Sequence, residues 1–364
     1  MKVGIIGLPE VGKTTLFNAL TRSNAEVHAY GAHKDEVNLG YVPVPDERFD
    51  LAVRLCAPKK QVPAGIDVTD GGARISLDQA RPTQFGADFF AGVRNMDTLL
   101  LTLRAFSSPS IPDPDDGISP VRDAERIMQE LILADLTVVE GRLERLAKNR
   151  QSRRLTAADA AEEQVLIKVR THLEELQPAR TLQLDGEEER SIRSFAFVSA
   201  KPLLVAVNTS EGQPSDPALA EQISAALGVE GRVVELCASI EAEIAQMGAD
   251  EEREFLEALG VSEPARNRLV RAAYAALGYI SFFTVGPDEV RAWTIRRGTT
   301  AVGAAEKIHS DIARTFIRAE VMPFEEFRAA GGWDEARAAG KMRLEGKEYV
   351  VEDGDIVHIR NSKG

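Results

Sequence analysis

Cysteine is scarce in this sequence. Its 364 residues include two cysteines, Cys56 and Cys237, which lie far apart and without the spacing of metal ligands. A disulfide framework and a zinc site are therefore disfavoured, and a reducing compartment fits. The five histidines show no paired metal-ligand spacing either.

Long apolar runs and excess positive charge are also missing. The N-terminal apolar run, residues 3–6, is too short for a signal peptide, and no stretch approaches the roughly 20 apolar residues that span a bilayer. The formal net charge of -13 opposes non-specific attraction to nucleic acid or anionic membranes, unless basic residues gather in one patch. We therefore expect a soluble, cytoplasmic protein.

Hydrophobic patterning divides the chain into regions of different character. A chain of this length with 44% apolar residues should form two or three folding units. Runs at residues 2–6, 99–103 and 203–207 are typical of buried strands in a parallel sheet, so an α/β domain is predicted for residues 1–119 and 195–277.

Two further regions accompany that domain. Between residues 120 and 194, apolar positions recur every three or four residues on both sides of Arg150-Gln151-Ser152-Arg153-Arg154, which predicts an inserted α-helical hairpin. From residue 278 to 364, strand-like segments (279–285, 290–295, 349–351 and 356–359) surround one predicted helix (300–316). This pattern indicates a small α+β module.

The strongest motif is Gly7-Leu8-Pro9-Glu10-Val11-Gly12-Lys13-Thr14, a G-x-x-x-x-G-K-T loop between a predicted strand and a predicted helix. Its glycines let backbone amides face a polyphosphate, Lys13 reaches the β and γ phosphates, and the Thr14 hydroxyl suits Mg²⁺. The alternative is a glycine-rich turn with an exposed lysine. The predicted phosphate-binding residues are Gly7, Pro9, Glu10, Val11, Gly12, Lys13, Thr14 and Thr15.

With that loop, several stretches together resemble the YchF family, in the Obg branch of the GTPase superfamily. They are residues 7–20 (GLPEVGKTTLFNAL), 42–46 (VPVPD), 133–136 (LADL), 289–295 (EVRAWTI), 307–311 (KIHSD), 316–320 (FIRAE) and 340–354 (GKMRLEGKEYVVEDG). The resemblance implies a Ras-like P-loop NTPase domain, a helical-hairpin insertion and a C-terminal β-grasp (TGS) domain. It also implies Mg²⁺ as cofactor and ATP or GTP as ligand.

The resemblance also implies how the base is held. The family carries N-x-x-E where ordinary GTPases carry N-K-x-D, and the matching segment here is Asn208-Thr209-Ser210-Glu211. A displaced carboxylate weakens the preference for guanine, so ATP joins GTP as a candidate ligand. The alternative is a polar turn after a strand. The base-binding residues implied are Asn208, Ser210, Glu211, Cys237, Ala238 and Ser239.

The sequence departs from the family where the γ phosphate is sensed. Lys34 takes the place of a threonine that ligates Mg²⁺, and a lysine offers no oxygen ligand. In the D-x-A-G motif we align Asp67 with the aspartate, which places Asp70 at the glycine and predicts Thr14 and Asp67 as metal partners. Residues 74–84 lack the family's histidine. Catalytic residues therefore stay unassigned, and hydrolysis is expected to be weak.

A basic run marks the predicted tip of the hairpin. It comprises Arg142, Arg145, Lys148, Arg150, Arg153 and Arg154. One explanation of this run is a solvated helix face. The other is a surface that binds RNA phosphates, because the family resembles ribosome-associated proteins and TGS modules recur in translation-linked proteins.

Three functional hypotheses remain open. They are a nucleotide switch with impaired hydrolysis, a fully active ATPase or GTPase, and an RNA-binding scaffold with a vestigial nucleotide site. His309-Ser310-Asp311 contains the residue types of a catalytic triad, but neighbouring helical residues point apart, so a structural role is expected.

Overall fold

The computed structural model describes residues 1–23, 38–70 and 85–362. The chain divides into two compact units, Met1–Gly40 with Asp67–Leu269 and Tyr41–Ile66 with Val270–Gly364. In the described ranges, no helix has the length and apolar character needed to cross a membrane.

The two units are built from short strands and mostly short helices. The strands of the described residues are β1 (Lys2–Ile6), β2 (Asn38–Pro43), β3 (Lys60–Val62), β4 (Gly65–Asp70), β5 (Thr98–Ala105), β6 (Leu203–Thr209), β7 (Val233–Leu236), β8 (Tyr279–Thr284), β9 (Glu289–Arg296), β10 (Phe316–Met322), β11 (Arg343–Glu345) and β12 (Ile356–Asn361). The helices are α1 (Lys13–Thr21), α2 (Glu47–Cys56), α3 (Ala87–Arg94), α4 (Pro120–Gln151), α5 (Ala157–Glu174), α6 (Gly186–Ile192), α7 (Pro217–Leu227), α8 (Ala238–Ile244), α9 (Ala249–Leu259), α10 (Ala265–Ala276), α11 (Ala301–Ile308), α12 (Ser310–Arg314), α13 (Phe324–Ala330) and α14 (Trp333–Ala338).

A six-stranded sheet, most of which belongs to the first unit, has the order β2-β4-β1-β5-β6-β7. Strand β1 pairs in parallel with β4 on one side and β5 on the other, and β6 pairs in parallel with β5 and β7. Strand β6 is buried along its whole length, which explains its unbroken apolar run. The predicted α/β core is confirmed. The carboxyl ends of parallel strands meet at one edge, where open α/β sheets bind ligands.

Helices α4 and α5 form the predicted hairpin. Pro120 occupies the first turn of α4, and a reciprocal cap between Thr156 and Asp159 starts α5. The buried stripes of both helices join the hydrophobic cluster of the sheet strands β5 and β6, so the hairpin shares the core of the first unit.

Asp135 of α4 fastens the hairpin to this core. Its carboxylate is fully buried and accepts hydrogen bonds from the backbone N-H of Val198 (2.8 Å) and from the N-H and hydroxyl of Ser199 (2.7 and 2.6 Å). Burial outweighs these hydrogen bonds and raises the pKa of the Asp135 carboxyl.

The second unit contains a mixed sheet in the order β11-β10-β12-β8-β9-β3, with α11 packed on one face. This agrees with the predicted α+β module, while its assignment to the TGS type stays a prediction. In the structure, this second unit also includes residues 41–66, which the sequence pattern places in the nucleotide-binding domain. The reason is long-range pairing: β3 lies parallel to β9, with Lys60 opposite Glu289, and Arg48 forms an ion pair with Asp353 at 3.2 Å.

Two local predictions in this unit are wrong. The predicted helix 300–316 breaks at His309, whose backbone is extended and whose Nδ1 accepts a hydrogen bond from the N-H of Asp311. Phe316 then begins β10. The predicted strand 349–351 is reduced to one isolated bridge between Val350 and Thr300.

Candidate nucleotide-binding site

The predicted P-loop connects β1 to α1 at the carboxyl edge of the first sheet. Its backbone has positive φ at Gly7 (153°), Glu10 (63°) and Gly12 (91°), and Gly12 is the N-cap of α1. A Cβ on Gly7 would lie 2.5 Å from the carbonyl oxygen of Thr102 in β5, and one on Gly12 would collide with the Asn208 amide. Both glycines are therefore required by the close approach of neighbouring strands.

Lys13 begins α1 and lies across the loop. Its Nζ donates a 2.6 Å hydrogen bond to the carbonyl oxygen of Leu8. Burial lowers the pKa of Lys13 to about 8, and the nearby negative charge of Asp70 limits that decrease. A polyphosphate in the loop would supply the anion that this buried ammonium lacks.

Thr14 contacts the end of β4. Its hydroxyl donates a 2.8 Å hydrogen bond to Oδ2 of Asp70. Asp70 is 3% exposed, and its Oδ1 is buried with no hydrogen-bond partner in the described structure. A hydroxyl and a carboxylate oxygen are the hard ligands that Mg²⁺ prefers, so Thr14 and Asp70 fit the ion beside a phosphate chain.

This geometry corrects the assignment of Asp67. Asp67 lies opposite Lys2, at the start of β1 and therefore at the far end of the strands from the P-loop. Its carboxylate lies 3.7 Å from the amino group of Met1 and is largely exposed. Three residues of extended chain, roughly 10 Å, separate Asp67 from Asp70, so the carboxylate that contacts Thr14 is that of Asp70.

Asn208, at the end of β6, joins the P-loop to the loop before α8. Its Nδ2 donates to the carbonyl oxygen of Val11 (3.0 Å), and its Oδ1 accepts from the N-H of Ala238 (2.9 Å). Asn208 is buried, so its side chain acts as a brace between the P-loop and the loop before α8. A direct role in holding the base is therefore not needed to explain this residue.

The other predicted base-binding residues surround this brace. Glu211 is exposed, while Ser210 is half-buried and its N-H donates to Oε1 of Gln213. Cys237 precedes α8, and its Sγ lies 3.2 Å from the hydroxyl of Ser239. The structure thus brings both predicted base-binding segments to the same sheet edge as the P-loop.

The basic run at the hairpin tip divides into two groups. Arg142 is paired with Asp159 and Glu162, and Arg150 is paired with Glu163, so both stabilise the hairpin itself. The remaining four residues are exposed and form no ion pair within the described ranges; they are Arg145, Lys148, Arg153 and Arg154. We call these four residues the basic tip.

Two predicted features fall outside the described residues. They are Lys34 and the segment 74–84, in which the sequence lacks a histidine. Sequence patterns missed Asp70 and the brace function of Asn208. The signal for Asp70 is its position at the end of β4, which pairs in parallel with β1, the strand that leads into the P-loop.

Comparison with known proteins extends these observations to the whole chain. Residues 2–134 match the family model MMR_HSR1 (50S ribosome-binding GTPase), and residues 279–362 match YchF-GTPase_C (protein of unknown function, DUF933). The chain is 39% identical over 364 residues to the ribosome-binding ATPase YchF of Bacillus subtilis, with 99% of each chain covered. It is 34% identical over 371 residues to the Obg-like ATPase 1 of Gallus gallus, covering 99% of this chain and 92% of that protein.

A solved structure gives the same result. The YchF GTPase of Schizosaccharomyces pombe has a TM-score of 0.83 and 32% identity, covering 99% of this chain and 97% of that one. Given matches along its full length and a P-loop with the required geometry, the chain belongs to the YchF family of P-loop nucleotide-binding proteins.

Proposed function

We propose that this protein is an Mg²⁺-dependent nucleotide switch that binds ATP or GTP and hydrolyses it slowly. The observation that carries the proposal is the arrangement of Lys13, Thr14 and Asp70 at the P-loop. It offers a buried ammonium for the phosphates and two oxygen ligands, one with an unsatisfied lone pair, for the metal. Bound Mg²⁺ would neutralise part of the phosphate charge.

Slow hydrolysis is supported by the sequence of the two segments that sense the γ phosphate in the family. With Asp70 as the aspartate of the D-x-A-G motif, Ala73 falls at the position of the glycine. Lys34 replaces the threonine ligand, and residues 74–84 contain no histidine to position water. Phosphoryl transfer depends on such positioning, so these changes should reduce turnover by orders of magnitude while preserving binding.

The base preference rests on Glu211. Its exposed carboxylate follows Asn208 by three residues, and Asn208 in turn accepts a hydrogen bond from the N-H of Ala238 in the Cys237-Ala238-Ser239 segment. A carboxylate accepts from the exocyclic amine of adenine as well as from the N-H groups of guanine. We therefore infer that both ATP and GTP bind.

The partner inferred is the ribosome. Relatives of this chain are named ribosome-binding ATPases. The basic tip supplies four exposed positive charges for RNA phosphates, which Glu140 and Glu144 offset only in part. Together with the nucleotide site, this indicates a cytoplasmic protein whose ribosome binding responds to nucleotide.

The test separates binding from hydrolysis. Purified protein would be titrated with labelled ATP and GTP in Mg²⁺ and then followed in single-turnover hydrolysis, with and without ribosomes. We expect micromolar-range or tighter binding that Thr14→Ala weakens, with slow turnover that the double change Lys34→Thr with Ala73→Gly increases. Absence of binding to both nucleotides would refute the switch, and rapid turnover by the unmodified protein would refute impaired hydrolysis.

A further inference from the structure

Glu10 combines a strained backbone with an acidic side chain inside the phosphate loop. Its φ of 63° lies in the left-handed region, where the other positive φ angles of the loop belong to glycines. This conformation is costly for a long side chain that has no local hydrogen bond to offset the strain. Backbone segments that alternate between right-handed and left-handed conformations turn successive N-H groups toward one point, where an anion can bind. We infer that this arrangement is why the strain at Glu10 is kept.

The side chain of Glu10 adds a charge of the wrong sign for a phosphate site. It is exposed, and it makes no hydrogen bond or ion pair with any described residue. The cation of the loop, Lys13, is directed to the carbonyl of Leu8 and is not paired with Glu10. The phosphate loop therefore carries one carboxylate that no described residue neutralises.

We propose that Glu10 sets the nucleotide affinity of this loop by discriminating against triphosphate that carries no metal. This inference rests on the nucleotide-binding function proposed above and concerns the same site. A free nucleoside triphosphate bears a charge of about -4, and its Mg²⁺ complex about -2, so the repulsion from one fixed carboxylate is roughly halved by the metal. The residue thereby favours the metal complex and speeds release of uncomplexed nucleotide.

Glu10→Gln isolates the charge. Glutamine keeps the size of the side chain and meets the same backbone strain, so any change in affinity reports the carboxylate. The control is Glu230→Gln, which removes one charge from an exposed position after α7 in the same unit. It corrects for the change in net charge.

Affinities would be measured for ATP with Mg²⁺, for ATP with EDTA, and for AMP. We expect Glu10→Gln to tighten metal-free ATP about three- to tenfold and Mg²⁺-ATP by a smaller factor, because the repulsion scales with phosphate charge. AMP should change hardly at all, because it places no β or γ phosphate in the loop. Glu230→Gln should match the unmodified protein in all three titrations.

The outcomes separate this inference from the function on which it rests. Equal tightening with and without metal, or no tightening at all, in a protein that binds ATP overturns the role of Glu10 and leaves nucleotide binding intact. Failure of the unmodified protein and Glu10→Gln to bind any of these nucleotides overturns the nucleotide-binding function itself.

Discussion

The Thr14 hydroxyl donates a hydrogen bond of 2.8 Å to the carboxylate of Asp70, joining the first turn of α1 to the end of β4. One oxygen of that carboxylate is thereby used, and the other is buried without a partner. Buried acceptors are usually satisfied in proteins, and this oxygen is free to ligate a metal ion beside the P-loop. The metal-dependent phosphate site that we propose therefore needs both the P-loop and β4.

Asp70→Asn should weaken Mg²⁺-nucleotide binding at least tenfold, since it removes a charged acceptor of the kind that contributes about 1.5–3 kcal/mol. Titration with Mg²⁺ at fixed ATP would show the midpoint moving to higher metal concentration. Asp67→Asn, three residues earlier in β4, is the matched control and should leave the titration unchanged. The reverse result would restore Asp67 as the metal partner.

Asn208→Ala should lower the free energy of unfolding by about 2–3 kcal/mol, because it leaves the Val11 carbonyl and the Ala238 N-H without their partner in a buried setting. Nucleotide affinity should fall with it, since both loops lose their brace. Urea denaturation measures the first effect and calorimetry the second.

Asn95→Ala provides the comparison for this change. Asn95 is exposed and donates one hydrogen bond to the carbonyl oxygen of Ala91 at the end of α3. Its removal should cost no more than about 0.5 kcal/mol. If the two variants lost similar amounts of unfolding free energy, Asn208 would contribute no more than an exposed asparagine and would not be a brace.

Asp135 predicts a pH dependence of stability. Burial raises the folded-state pKa of its carboxyl above the unfolded value, so the folded chain holds this proton to higher pH. The contribution of Asp135 is then fully present below about pH 4 and is lost as pH rises through the folded pKa. The stability of the unmodified protein relative to Asp135→Asn should therefore fall as pH rises above about 4.

Asp185→Asn is the control for that series. Asp185 caps α6, and hydrogen bonds from the backbone N-H groups of Glu188 and Glu187 lower the pKa of its carboxyl. Its contribution is present above about pH 4 and is lost only as pH falls further, so its difference should be flat over the same range. Urea midpoints at four pH values distinguish the two cases, and a flat curve for Asp135 would contradict the assignment.

The sequence predicts local features well and long-range ones poorly. The P-loop is contiguous, so its residue types and its place between β1 and α1 identify it. Asp70 was misassigned because its position depends on the register of β4 against β1, in which Lys2 lies opposite Asp67. The pairing of Lys60 with Glu289 likewise joins segments too distant in sequence for periodicity to connect.

The hairpin offers a prediction that separates binding from stability. The sequence alone does not distinguish its basic residues from one another. In the structure, Arg142 and Arg150 form ion pairs with residues of α5, whereas the residues of the basic tip are exposed. A surface that binds RNA phosphates needs charge that is not already neutralised within the protein.

Changing all four residues of the basic tip to Gln should therefore weaken ribosome co-sedimentation and flatten its salt dependence, because each lost phosphate contact lowers the salt slope by about one. The same variant should unfold at an unchanged urea concentration. Arg142→Gln should do the opposite, keeping ribosome binding while lowering the free energy of unfolding by about 0.5–1 kcal/mol, since its two acidic partners lose their cation. Undiminished co-sedimentation of the four-residue variant would show that the basic tip is a solvated helix end and that ribosome binding, if measured for the unmodified protein, uses another surface.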